Sequence, residues 1–429
     1  MAHIRHIKGG TKRINGSLSF CGDKSCAHRA LVLAALSLGE SRISNIPLSA
    51  DVLSTASCLR ALGVSITIRH GAAVVRGTGL RGLRLPVQAL DCGNSGTTIR
   101  LLCGVLAGQS FRSVLTGDES LLRRPMDRVA FPLGLMGASF HLKNGKPPVS
   151  ITGGPLNPLT YIMPVPSAQV KSAILLAGLN AAGVTTVIES VQTRDHTENM
   201  LPLFGAAVFR RDGQCSVLGG QTLRGTELSL PGDISSAAFF IAAAAASPGS
   251  RFIARGVLLN PLRTGLLGAL IRMGADITVR RNQSLCGEPA GDVEVRGKKL
   301  AGRVFGPADI PSMVDEIPAL ALAAAMARGL TVISGAGELR KKESDRLSGI
   351  TAFLTALGVH AAELSDGVAI EGASHFSPGR IQPDGDHRVC MAGAVAASFA
   401  AGTSEICGPE CAGISYPGFF RDLAGVRGA

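Results

Sequence analysis

The sequence predicts an α/β protein built as two similar lobes, on three observations. One pattern recurs six times: a polar opening, a helix of small apolar residues, a glycine turn and a short β-rich run. The starts lie roughly 65 to 80 residues apart, longer than solenoid repeats and long enough for a whole βαβ-type unit. Each repeat also carries a second stretch at helical apolar spacing that ends near a glycine and runs into another strand.

The elements follow in order. The first helices are SCAHRALVLAALSLGESRISNI from Ser25, GTTIRLLCGVLAGQSFRSVLTG from Gly96 and SAQVKSAILLAGLNAAGVTTVIE from Ser167. DISSAAFFIAAAAASPGSRFIA from Asp233, VDEIPALALAAAMARGLTVIS from Val314 and DHRVCMAGAVAASFAAGTSEI from Asp386 complete the set. The second helices are DVLSTASCLRALGVSITIR from Asp51, PMDRVAFPLGLMGASFHLK from Pro125 and TENMLPLFGAAVFRR from Thr197. RTGLLGALIRMGADITVRR from Arg263 and SDRLSGITAFLTALGVHAAEL from Ser344 continue the series. Helices fill the gaps between strands, which predicts mainly parallel pairing with some antiparallel returns. The lobe boundary falls near Leu230-Pro231-Gly232, and two sets of three repeats imply a cleft between the lobes.

Composition narrows the function classes. With 46% apolar residues, 54 Gly and no Trp, the core is expected to be Ala, Leu, Val and Ile at close range. The longest apolar run, Ala237 to Ala246, is too short to cross a bilayer, so no membrane association is expected. MAHIRHIKGG has charges but no apolar stretch behind them, which is not a secretory signal, and a cytoplasmic protein is expected. Ten scattered Cys contain no CxxC pair and complete no metal set, so reduced buried thiols are expected. The net charge is +12, but the basic residues form no K/R-rich blocks, aromatics are few, and many cations sit singly beside Gly, Asp or Ser in the repeat openings. That favours small phosphate or carboxylate ligands over nucleic acid.

The repeat openings differ, and helix N-termini are natural anion sites, so chemistry is sought there. Gly93-Asn94-Ser95-Gly96-Thr97-Thr98-Ile99-Arg100 opens an apolar helix: it is either an anion loop with Arg100 one turn in or a plain Ser-capped turn. Arg123-Arg124 precede a Pro-started helix and are either an oxyanion clamp or a solvated pair. In Lys341-Lys342-Glu343-Ser344-Asp345-Arg346, Lys342 and Arg346 are spaced to share one helical face, with an acid between them for proton transfer, or the run is an exposed helix start. Asp315-Glu316 and Asp386-His387-Arg388 are each either caps or tuned acid–base groups. The nine His are dispersed, without a triad ordering or a metal spacing.

Together, LDCGNSGTTIRLL, LTGDESLLRRPMDR, PSAQVKSAILLAGL, TRDHTENML, LPGDISSAAFF, VDEIPALALAAA, ELRKKESDRL and DHRVCM resemble the blocks of one family, in its order. The family is 5-enolpyruvylshikimate-3-phosphate synthase (3-phosphoshikimate 1-carboxyvinyltransferase), and the resemblance runs from Gly22-Asp23-Lys24-Ser25 to Ser415-Tyr416-Pro417. It implies an inside-out α/β barrel of the enolpyruvyl transferase type, in six βαβαββ-type units. It assigns 23–231 to one lobe and 1–22 plus 232–429 to the other. It implies transfer of the carboxyvinyl group of phosphoenolpyruvate to the 5-hydroxyl of shikimate 3-phosphate with loss of phosphate, without metal or cofactor, by a monomer of the shikimate pathway to aromatic amino acids. By motif, Lys24, Gly96, Arg124, Gln169, Arg346 and Arg388 are expected to hold phosphoenolpyruvate. Ser25, Arg29, Ser167, Ala168 through its backbone, Gln169, Arg194, Asp315 and Lys342 are expected to hold shikimate 3-phosphate. Asp315 is expected to take the hydroxyl proton, and Glu343 to work with Lys24 at the methylene carbon. A Gly at position 96 resembles the glyphosate-sensitive kind.

The chain departs from the family pattern at four places. Cys26 and Ala27 stand where the family usually has Ile and Ser, Gly385 replaces an acid, and Gly413 lies in a stretch that often carries a Lys. An enolpyruvyl transferase acting on another hydroxylated acceptor is the alternative these departures raise. The related UDP-N-acetylglucosamine enolpyruvyl transferases carry a reactive Cys in the loop that here reads Thr116-Gly117-Asp118-Glu119-Ser120-Leu121-Leu122, without one. A non-enzymatic nucleic-acid-binding relative is the reading of another class that the charge raises.

Overall fold

The structure is a computed structural model that describes residues 3–428; Met1, Ala2 and Ala429, which the lobe assignment also covers, lie outside the described residues. The chain divides into two compact units. One comprises Cys21–Pro231 with Ser284–Glu288. The other comprises the described residues up to Phe20, Gly232–Gln283 and those from Pro289 onward.

In the first unit three helices run through the core: Lys24–Leu36, Gly96–Ala107 and Ala168–Gly178. They are apolar almost all round, and such helices are stable only when enclosed. Small residues set how closely they approach. A Cβ at Gly104 would lie 2.2 Å from the Ala173 carbonyl oxygen, so only glycine fits between the second and third helices. Side-chain caps close the N-termini: Asp23 accepts from Cys26 N–H, Ser95 from Thr98 N–H and Ser167 from Val170 N–H.

The unit's sheets share one strand order. Leu90–Asp91 pairs parallel with Arg112–Thr116, which pairs antiparallel with Lys146–Thr152, and Ser139–Lys143 lies outermost. Thr160–Ile162, Val184–Ile188, Gln214–Leu218 and Val208–Arg211 repeat it. In the remaining sheet Leu38–Ser44 takes its parallel neighbour from Glu227–Ser229, at the far end of the unit, so the three repeats close on themselves. Antiparallel pairs therefore outnumber parallel ones, contrary to the expectation from helix-filled gaps. The reason is a hairpin after each second helix, closed by His70-Gly71, Asn144-Gly145 or Asp212-Gly213. Both residues of each turn have positive φ (49° and 73°, 52° and 71°, 45° and 76°), as a type I′ turn demands.

The second unit buries Ile234–Ala246, Ile317–Ala325 and His387–Ser398, and all 13 residues of the first of these are buried. Val304–Phe305, Leu330–Ile333, Gly367–Glu371 and Ala361–Leu364 repeat the four-stranded order. The N-terminal segment completes the other two sheets: Arg13–Ser19 lies parallel to Arg251–Leu258, and Ile4–Lys8 antiparallel to Thr403–Cys407. The expectation of a purely aliphatic core fails in this unit. Phe20, Phe239, Phe240, Phe252, Tyr416 and Phe419 pack together with ring centroids 5.9–6.4 Å apart, in the range where aromatic pairs attract. Among the described residues no helix is long and apolar enough to cross a membrane. All ten Cys are unbridged, eight of them buried.

Candidate active site

In the first unit most of the residues singled out from the sequence fall at the openings of the three core helices, with Arg124 and Arg194 in the loops ahead of two others. Lys24 begins the first, and its Nζ donates to Asp51 Oδ2 at 2.8 Å. Ser25, next to it, is half-buried. Arg29, one turn on, is buried, with Nε on Thr197 Oγ1 (2.8 Å), Nη1 on the Ser25 carbonyl (3.0 Å) and Nη2 on Ser172 Oγ (2.8 Å). Burial lowers its guanidinium pKa. Gly96 opens the second helix, and a Cβ there would sit 2.7 Å from Arg100 Nη1 and 2.9 Å from Arg124 Nη1. Arg124 is buried and donates to Asn94 Oδ1 (2.8 Å), whereas Arg123 is exposed, so the arginine pair divides into one inward and one outward residue.

Ser167 caps the third helix, Ala168 is its first residue, and Gln169 follows. Gln169 Oε1 accepts from Arg100 Nη1 (2.8 Å), and its Nε2 donates to Thr97 Oγ1 (2.9 Å). Those bonds fix its orientation. Arg194 lies in the loop before His196–Met200. The carbonyl of the preceding Thr193 is held by Lys171 Nζ at 3.3 Å, which also pairs with Glu189 (2.6 Å) and Glu198 (2.7 Å). Burial opposes the charge on Lys171, but the two glutamates outweigh it and raise its pKa.

The second unit carries a denser cluster. Asp315 sits in a 3₁₀ turn, Val314–Glu316, ahead of the α-helix rather than inside it. Three cations surround its carboxylate: Arg346 Nη1 at 3.5 Å, Lys342 Nζ at 3.7 Å and Arg388 Nη2 at 3.9 Å. Arg388 Nη1 also donates to the Asp315 backbone carbonyl at 3.0 Å, so one side chain holds the residue twice. Arg346 is fully enclosed, with Nη2 on Glu343 Oε2 (2.5 Å) and Nε on Asp386 Oδ2 (2.8 Å). Burial works against its charge, but Asp386, Glu343 and Asp315 together raise its pKa. Its positive charge is therefore permanent. It places Glu343 and Asp315 on either side of one rigid, planar group.

One sequence reading is overturned here. Lys342 and Arg346 do not share a helical face. Lys342 ends the 3₁₀ turn Gly337–Lys341 with extended backbone (ψ −150°), and Arg346 begins a separate helix, Arg346–Ala356, capped by Asp345. They converge because both turn toward Asp315 across the break.

Sequence reasoning did not foresee which groups hold these side chains. Asp51 grips Lys24, Asn94 grips Arg124, and Thr97 with Arg100 orients Gln169. In the second unit Asp386 caps its helix, as one of the two readings weighed for it has it, and also pairs with Arg346. Glu316 accepts from Ser235 Oγ, which also receives Arg263 Nη2 at 2.8 Å. A carboxylate at a helix opening, in the first turn at Asp51 and at the N-cap at Asp386 and Glu316, was the available signal.

Helices inside, mixed sheets outside, three repeats to a unit and cations gathered at helix openings define a two-lobed α/β transferase of the enolpyruvyl transferase architecture. The model of the family described as EPSP synthase (3-phosphoshikimate 1-carboxyvinyltransferase) matches residues 8–423. A 3-phosphoshikimate 1-carboxyvinyltransferase from Gloeobacter violaceus is 49% identical over 97% of this chain and 97% of its own length. One from Alkaliphilus metalliredigens is 46% identical over 98% and 99%. A solved EPSP synthase from Acinetobacter baumannii superposes with a TM-score of 0.87 at 42% identity, covering 99% of this chain and 98% of that one. The chain belongs to the EPSP synthase family.

Proposed function

We propose that this chain transfers the carboxyvinyl group of phosphoenolpyruvate to the 5-hydroxyl of shikimate 3-phosphate and releases phosphate. The observation that carries this reading is Asp315, held twice by Arg388 with Lys342 and Arg346 Nη1 beside it, and Glu343 on Nη2 of the same Arg346 guanidinium. In the addition step Asp315 accepts the hydroxyl proton as the oxygen bonds to the central carbon of phosphoenolpyruvate. Glu343 and Lys24 serve protonation of the methylene carbon. In the elimination step a proton leaves the resulting methyl, the carbon–oxygen bond to phosphate breaks, and the vinyl ether forms. Both steps redistribute charge beside cations already in place, which stabilises developing charge without reorganisation.

In this reading Lys24, Gly96, Arg124, Gln169, Arg346 and Arg388 hold phosphoenolpyruvate. Ser25, Arg29, Ser167, Ala168, Gln169, Arg194, Asp315 and Lys342 hold shikimate 3-phosphate, and Arg29 does so mainly by fixing the Ser25 backbone. The two compact units serve as the two lobes of the enzyme. The partners are these small molecules alone, and the protein works as a cytoplasmic monomer that engages neither nucleic acid nor membrane. The scattered, singly placed cations support that restriction. A coupled phosphate-release assay tests the reading: release is expected only with both substrates present and without added metal. Release that persists without shikimate 3-phosphate would overturn it.

A further inference from the structure

We propose that Asp23, Cys26 and His196, with Glu288 beside them, form a buried site for a zinc-class divalent transition-metal ion. Asp23, Cys26 and His196 each bring a ligand atom within 4.8 Å of the other two, and all three residues are buried. Asp195, His196 and Glu288 form a second such set on the same histidine. Cys26 Sγ lies 3.8 Å from His196 Nδ1, which lies 2.8 Å from Glu288 Oε1. With metal–sulfur and metal–nitrogen bonds of about 2.3 and 2.0 Å, a tetrahedral ion separates the two donors by about 3.6 Å. The pair therefore needs little movement to close on an ion.

The donor set decides the class of ion. A thiol and an imidazole favour zinc, cobalt or copper over magnesium and calcium, which take oxygen donors. Local structure explains how the donors meet. Asp23 is the N-cap of Lys24–Leu36 and Cys26 is its third residue, so both lie at one helix opening, tied by the Cys26 N–H to Asp23 Oδ1 bond (2.9 Å). His196 begins the helix His196–Met200, and Glu288 follows the positive-φ turn Cys286-Gly287.

The chemistry balances simply. The dication binds the sulfur, the thiol proton passes to solvent, and the charge gained offsets the buried carboxylates. Bound there, the ion braces the helix opening that carries Lys24 and Ser25. None of the four donors is assigned a step in the transfer reaction, so the site stands or falls separately from it.

The test is a Co²⁺ titration of the chelator-treated full chain, followed by thiolate-to-cobalt charge-transfer absorption. One equivalent is expected to produce the band. Cys26→Ser is expected to abolish it, His196→Gln to weaken binding about tenfold or more, and Cys21→Ser, at an exposed thiol, to leave it intact. A second measurement needs no variant: zinc should slow alkylation of Cys26 in the wild-type protein, read by mass spectrometry. No band in the wild type, an unchanged band in folded Cys26→Ser, or equal alkylation with and without zinc would each overturn the proposal.

Discussion

The two charged clusters pose different electrostatic problems. In the first unit the cations stand apart, each steadied by its own partners: Asp51 for Lys24, Asn94 for Arg124, and Thr197, Ser172 and the Ser25 carbonyl for Arg29. Most of these partners are neutral, so the cluster keeps positive charge available at helix openings that already favour anions. In the second unit Arg346 alone touches Asp315, Glu343 and Asp386, and Arg388 touches Asp315 and Glu316. Here positive and negative charge are matched inside the protein. The first arrangement suits holding phosphate and carboxylate groups, and the second suits holding two carboxylates in fixed positions for proton transfer. Substitutions should separate accordingly, the first cluster failing in ligand discrimination and the second in stability and turnover.

The largest effect should come from the enclosed cation of the second cluster. Arg346→Met leaves three carboxylates facing an apolar stem, and breaking a buried pair from one side costs about 3–5 kcal/mol. Urea denaturation should show a loss of that size. Lys171, buried between Glu189 and Glu198, is the counterpart in the first unit, and Lys171→Met should lose a similar amount. A loss under about 1 kcal/mol in the Arg346 variant would mean that its carboxylates are protonated or hydrated, and the charge-matched picture would fail.

Next are the two acids. Asp315→Ala and Glu343→Gln should lower kcat by about 10²-fold or more, the usual scale for acid–base groups, with little change in acceptor affinity. Steady-state kinetics over both substrates separates kcat from KM. A variant with near-normal kcat would reduce that residue to an electrostatic partner of Arg346.

How much of this was legible in the sequence follows from which forces act locally. The six core helices and most of their Ser or Asp caps were readable, because periodicity and capping are short-range. The sheets were less so. Helix-filled gaps point to parallel strands, yet His70-Gly71, Asn144-Gly145 and Asp212-Gly213 turn the chain back within two residues, a signal carried by one glycine in each case. The aromatic cluster around Phe240 was not legible, because its members come from both ends of the chain. Of the proposed site, the residues were named by resemblance. The pairings that hold them were not foreseen: Asp51 lies 27 residues from Lys24, and Asp386 lies 40 from Arg346. The break between Lys342 and Arg346 escaped because i,i+4 spacing alone cannot reveal that a helix starts between them.

The smallest effect is expected at Gly96, where the first cluster's openness can be measured directly. A methyl group there would lie 2.7 Å from Arg100 Nη1 and 2.9 Å from Arg124 Nη1, closer than carbon–nitrogen contact permits. Both neighbours are the far ends of flexible side chains, so the protein should accommodate the change by displacing guanidinium groups rather than backbone. Arg100 is restrained by the Gly96 carbonyl and Gln169, and Arg124 by Asn94, which leaves little slack. A ligand that reaches further into this corner loses more than a shorter one. Glyphosate is longer than phosphoenolpyruvate, and a methylene-sized change in a packed pocket discriminates by about 1–3 kcal/mol. Gly96→Ala should therefore weaken glyphosate inhibition by about 10-fold or more, with a smaller rise in KM for phosphoenolpyruvate. Dose–response curves for both proteins at fixed phosphoenolpyruvate decide it. Equal inhibition would mean that Arg100 and Arg124 yield freely, and the first cluster would then be a flexible anion trap rather than a shaped one.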